Sequence, residues 1–151
     1  MPTRPAKPSK RNAPRVKPQY KANHDKRRGT AAERGYDWTW TKASRHHREH
    51  NPLCSYCFIR FARATSTELT DHLYPHGGTD CPLLWDETYF VSSCQHCHDT
   101  YKRRIESQGI TAIDQLAKRL GLPILRDRDK RKACLEVLNQ RHPKTNTQAH
   151  Q

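Results

Sequence analysis

Apolar positions are sparse along this chain, and the intervals at which they recur divide it into short elements. In DWTWTKASRHHREH, residues 37–50, Trp40, Ala43 and His47 return at three- and four-residue spacing, which predicts one face of a helix. Asp37 can cap its start through a side-chain oxygen, and Pro52 stops it just before Cys54. A short strand is expected at 68–73, a turn-rich loop in HGGTDCPLLWDE, and a second strand in TYFVSS, residues 88–93. From 95 to 106 there is neither Pro nor Gly, and the stretch reads as helix. Beyond Gly109, Ile113, Leu116 and Leu120 share a face until Gly121 and Pro123 end it. A last helix in DKRKACLEVLNQ turns Cys134, Val137 and Leu138 inward. Short strands among helices predict a small α+β fold. The closing helix pair has the outline of a helix-turn-helix, but amphipathic pairs more often simply cover a core.

Charge changes this picture at the ends. The 151 residues carry a net charge of +13, from 28 Lys and Arg against 15 Asp and Glu. Residues 1–35 hold eleven of those basic groups and five Pro, with only Asp25 and Glu33 as acids. Such a stretch cannot bury enough surface to offset its ordering entropy, so residues 1–34 are expected to be a disordered basic arm. The polar residues 143–151 read as a frayed tail. A charge this large suits a polyanionic partner, nucleic acid first and an anionic membrane surface second. No apolar run approaches the roughly 20 residues of a membrane helix, and the N-terminus lacks the apolar core of a secretory signal. A cytoplasmic protein with no membrane partner is expected, in which cysteines serve metal rather than disulfides.

Four of the six cysteines form a frame. Cys54-Ser-Tyr-Cys57 and Cys94-Gln-His-Cys97 are two C-x-x-C knuckles, each presenting two thiolates to one tetrahedral ion, as structural Zn²⁺ requires. His96 or His98 could replace one of the four. A chain only 33% hydrophobic also needs such a staple, since ligand–metal bonds add folding free energy. Cys81 reads as a loop thiol and Cys134 as core. The knuckles are 36 residues apart, longer than a compact zinc ribbon allows, and the insert contains TDHLYPHGG.

On a strand, Asp71 and His72 face opposite ways. Asp71 suits Mg²⁺ or Mn²⁺, which prefer oxygen ligands, and a neutral His72 suits proton abstraction near pH 7. His98, at the start of the knuckle-anchored helix, can supply a second ligand. Lys102 follows on the same face, with Arg103 and Arg104 next, and the three could hold a phosphodiester. On spacing alone, Asp71-His72 reads equally well as a surface dipeptide and His98 as an ordinary helix-start residue.

With RGYDWTW, PLCSYC, DHLYPHGGTDCPLLWDE and CQHCHDTYK in this order, residues 34–104 resemble the HNH endonucleases of the ββα-metal class, especially the small zinc-containing type of tailed phages and prophages. The resemblance implies a zinc-stapled ββα-metal domain over 35–108; the helix pair at 109–142 lies outside it. It implies Zn²⁺ at Cys54, Cys57, Cys94 and Cys97. It also makes Asp71 and His98 ligands of a catalytic Mg²⁺, Mn²⁺ or Ni²⁺, and His72 the general base. Where the family has its asparagine this chain has Tyr89, whose hydroxyl can donate and accept hydrogen bonds from farther out. The resemblance further implies a place in phage DNA packaging, with the terminase large subunit and portal as partners, in the host cytoplasm. Two other readings stand beside the endonuclease: a zinc-stabilised DNA-binding accessory protein with a decayed centre, and an RNA-binding zinc protein. The RNA reading wants stacking aromatics on an open sheet, whereas Trp38 and Trp40 read as packing.

Overall fold

The carboxylate of Asp37 accepts a hydrogen bond from the Trp40 amide at 3.0 Å and opens the first helix, α1 (Trp38–His50). The cap satisfies an amide that the helix itself leaves without a partner. In the computed structural model, which describes residues 29–143, α1 buries Trp40 and Ser44, with Ala43 and His47 half-buried beside them. Trp38 departs from the expected packing role. Two positions from Trp40 on a helix point it to nearly the opposite side, and it is 73% exposed with the Lys42 ammonium 5.4 Å above its ring.

Cys54 begins α2 (Ser55–Phe61), its Sγ accepting from the Cys57 amide, and Ala62 ends the helix in the left-handed region at φ 49°. Strands β1 (Leu69–His72) and β2 (Phe90–Ser93) then pair antiparallel, with Leu69 opposite Ser93 and His72 opposite Phe90. The second strand is shorter than its composition suggests. Asp86 accepts from the Thr88 amide and winds Glu87–Tyr89 into a 3₁₀ turn, so that extended backbone starts only at Phe90. After Cys94 the helical stretch opens as a wide π-type turn, Cys97–Lys102, and tightens into α3 (Arg103–Ser107). Helices α4 (Ile110–Arg119) and α5 (Arg128–Arg141) complete the described residues, with Asp127 capping α5.

Among the described residues this is an α+β fold of five α-helices and one two-stranded antiparallel sheet. No helix among them is long and apolar enough to cross a membrane. The main core joins Cys54, Tyr56, Leu73, Tyr74 and Leu83 to Ile113, Leu116, Leu125, Cys134 and Leu138 in one cluster. The helix pair therefore lies over the same core as the half that carries the cysteine knuckles, as its buried faces predict. Trp40, Leu84 and Phe90 form a smaller cluster between α1 and the sheet. Residues 1–28 of the expected basic arm, and 144–151 of the expected tail, lie outside the described residues.

A shared core has a consequence for cooperativity. Leu116→Ala, at a site 2% exposed, is expected to cost about 2–5 kcal/mol. Urea unfolding followed by far-UV circular dichroism, and by release of zinc to a coloured chelator, should show both transitions moving together. Separate transitions would mean that the helix pair unfolds on its own.

Candidate active site

The four knuckle cysteines converge. Their sulfurs all lie within 4.8 Å of one another and all four residues are buried. Cys57 Sγ is 3.8 Å from Cys94 Sγ and 3.5 Å from Cys97 Sγ. Four sulfurs at about 2.3 Å from a tetrahedral Zn²⁺ are about 3.8 Å apart, so the cluster fits the ion's dimensions and could hold it. His96 is exposed and His98 turns elsewhere, leaving the thiol set as four cysteines. Arg60 adds a charge beside the cluster, its Nη1 3.6 Å from Cys97 Sγ and its guanidinium stacked 4.2 Å over the Tyr101 ring.

The same knuckle aims the start of the following helix at β1. His98 Nε2 lies 3.8 Å from Asp71 Oδ1. Its Nδ1 is 2.9 Å from Asp99 Oδ1, a partner that only accepts, so Nδ1 carries a proton and Nε2 is the ring nitrogen that faces Asp71. Two donors bound to one Mg²⁺-sized ion, each at about 2.1 Å, can be no more than about 4.2 Å apart, and this pair falls within that span. The other oxygen of Asp71 is already committed. Oδ2 accepts from Tyr56 Oη at 2.6 Å and faces Lys102 Nζ at 3.4 Å. The carboxylate is thus fixed by one oxygen and presented by the other. Burial, and then the Asp71 charge and hydrogen bond, hold the Tyr56 phenol well above its ordinary range as a permanent donor.

Lys102 does not occupy the phosphate-facing position expected of it. It is 1% exposed and donates to the His72 carbonyl at 3.0 Å and to Glu106 Oε1 at 2.7 Å. The i, i+4 spacing that puts Lys102 on the face of His98 turns that face into the protein, towards Asp71. Burial alone would lower its proton affinity, but the Asp71 and Glu106 carboxylates more than reverse this and keep the ammonium charged. Arg103 and Arg104 are exposed.

His72 occupies the opposite face of β1, among Trp40, Tyr36, His76 and Phe90. The Trp40 ring stacks on the imidazole with centroids 4.4 Å apart and planes 23° apart, and His76 meets it edge-on at 4.3 Å. His72 Nε2 lies 3.0 Å from the Leu84 carbonyl, which can only accept, so Nε2 carries the proton and Nδ1 keeps the lone pair. Burial pushes the His72 pKa down, against the Leu84 bond and the Asp71 charge, and favours the neutral ring. Gly35 makes this arrangement possible. At φ 87° it brings Tyr36 into the cluster, and a Cβ there would come within 2.5 Å of Leu84 Cδ2.

Tyr89, where the resemblance expects an asparagine, turns its ring away from His72. It packs edge-on against Tyr74 at 5.0 Å, while its backbone carbonyl accepts from the Leu73 amide. Burial first, then Asp86, raises its phenol, and its charged neighbours Lys130 and Asp114 belong to the helix-pair side. The groups that orient His72 are instead the Leu84 carbonyl and Trp40. Neither was legible as a partner of His72: a main-chain carbonyl has no sequence signature, and Trp40 reads only as an apolar helix position. The LLWD segment did mark the loop that supplies Leu84.

His76 accepts from the Gly78 amide at Nδ1 and meets Tyr36 Oη at Nε2, 3.1 Å away. Burial, with His72 and Arg141 after it, pushes its pKa down to about 4. A histidine held neutral in the fold makes stability fall as pH drops below its unfolded value near 6.5, until the folded value is reached. Between pH 6.5 and 4.5, His76 is expected to remove about 2 kcal/mol of stability that a His76→Gln variant keeps. Denaturant midpoints of both proteins across this range measure the difference, and parallel curves would remove His76 as the cause. The cysteine cluster is checked separately. Zinc analysis should return one ion per chain, and Cys97→Ser should lower both zinc content and melting temperature, since metal binding of this kind is folding free energy. Unchanged stability on chelation would remove the staple.

Comparison with known proteins adds nothing to this geometry: no family model, no curated protein and no solved structure matches the chain.

Proposed function

We propose that the protein is a metal-dependent DNA endonuclease of the HNH type, hydrolysing phosphodiester bonds from the Asp71–His72–His98 centre. The observation that carries this reading is the approach of His98 Nε2 to Asp71 Oδ1 at 3.8 Å, one strand residue away from an imidazole oriented by a carbonyl. Asp71 and His98 would hold a Mg²⁺, Mn²⁺ or Ni²⁺ ion, which when bound supplies charge neutralisation to the phosphate and leaving oxygen. His72 is the general base. With Nε2–H donated to Leu84, Nδ1 is the atom that takes a proton from the attacking water, and its lowered pKa leaves it free to do so at neutral pH. Lys102 and Tyr56 hold Asp71, and Trp40 holds the plane of His72. Arg103, Arg104 and the net positive charge draw the duplex in by its phosphates. In this reading the task is cleavage of phage DNA during packaging, beside the terminase large subunit and portal.

A second reading is favoured by two observations. His72 is only 6% exposed behind Trp40 and Tyr36, and Tyr89 brings no side-chain group to it. A zinc-stabilised DNA-binding accessory protein of the same packaging machinery, with a centre too closed to cut, fits those facts.

Plasmid nicking at low salt with Mg²⁺, Mn²⁺ or Ni²⁺ separates the two. The enzyme reading expects ion-dependent nicking that falls about 10²–10⁴-fold in His72→Ala, with zinc content and DNA affinity retained. Tight DNA binding without nicking by zinc-loaded wild type would leave the accessory reading.

A further inference from the structure

The closing helix pair has no part in the centre described above, yet its last turn ends against it. Val137 of α5 packs on the loop that carries His76, its Cγ2 3.5 Å from where a Gly77 side chain would begin. Arg141 lies one turn further along the same helix face. Its Nη1 donates to Glu106 Oε2 at 3.3 Å, and Glu106 Oε1 in turn accepts from Lys102 Nζ, which holds the His72 carbonyl. These contacts place the guanidinium between the His76 loop and the buried end of α3. The side chain is 47% exposed, and among the described residues only Nη1 has a partner. Burial lowers the proton affinity of His76, and the Arg141 charge adds to it.

We propose that Arg141 is the phosphate-binding arginine of this centre, delivered by the C-terminal helix to bind a nucleic-acid phosphate between Glu106 and the His76 loop. The inference deepens the endonuclease reading and rests on it for its catalytic consequence. An arginine suits the task because its planar fork can keep one nitrogen on Glu106 while others meet phosphate oxygens. Glu106 acts as a brace: it remains paired with Lys102 whether or not Arg141 is present, so it sets the direction of the guanidinium without depending on it. The charge on Arg141 then lies where negative charge grows as the diester is attacked, and the helix pair supplies a working part of the site as well as covering its core.

Two measurements on the zinc-loaded full chain test this. The first titrates inorganic phosphate against the imidazole resonances of His72 and His76, with no divalent catalytic ion added. Wild type should show a saturable response that Arg141→Ala abolishes and Arg141→Lys retains at weaker affinity. The second measures plasmid nicking, where Arg141→Ala should lose about 100-fold in rate at saturating DNA, with partial rescue by added guanidinium. Zinc content and melting temperature of each variant verify the fold. The proposal is overturned if wild type gives no phosphate response, if Arg141→Ala responds as wild type does, or if Arg141→Ala nicks at the wild-type rate. If the phosphate response depends on Arg141 but wild type never nicks, the anion site stands and the endonuclease reading falls.

Discussion

Lys102 Nζ sits where three parts of the structure meet, and the arrangement of the centre depends on its staying charged. It touches the carbonyl of His72 on β1, the carboxylate of Asp71 next to it, and Glu106 one turn on in α3. A buried ammonium is costly without partners, and two buried carboxylates without an ammonium are costlier still. The three charges are therefore tolerable only together, and only in about this geometry. Because the ammonium grips the backbone of β1 as well as a side chain, strand and helix cannot slide past one another without breaking the set. The Asp71–His98 distance is a product of that constraint.

The cysteine cluster sets the other end of the same helix. Cys94 and Cys97 join the end of β2 to the π-type turn, while Cys54 and Cys57 bring in α2 and, with it, Tyr56. One cluster thus delivers to Asp71 both its hydrogen-bond donor, Tyr56, and its facing imidazole, His98. The wider π turn belongs to this arrangement: α-helices widen in this way most often at functional sites, and here the turn carries both His98 and Lys102.

Much of this was legible in the chain. The C-x-x-C spacing marked the cysteine cluster, the three- and four-residue spacing marked α1, α4 and α5, and the adjacency of Asp71 and His72 on a strand implied their opposite faces. What escaped the sequence shares one cause. Burial of a charged residue depends on where its helix face points after folding, so Lys102 read as a solvent-facing phosphate ligand. Tyr89 read as a substitute for an asparagine because alignment gives position, whereas a 3₁₀ turn decided its direction. Trp38 and Trp40 looked alike in composition and parted because a helix sends them to different sides. The position of Arg141 against Glu106 depends on how α5 packs, with Val137 on Gly77, which no pattern encodes.

The orientation of His72 by the Leu84 carbonyl bears on how the centre can vary. An asparagine in that role is lost by a single substitution, whereas every residue type at position 84 carries a carbonyl. The contact is therefore robust to replacement of its own residue and sensitive to displacement of its backbone. Its vulnerable point lies elsewhere in the sequence, at Gly35, whose φ of 87° strains any side chain and where a Cβ would crowd the Leu84 side chain at 2.5 Å. Genetic sensitivity has in effect been moved from the residue that makes the bond to one that only leaves room for it.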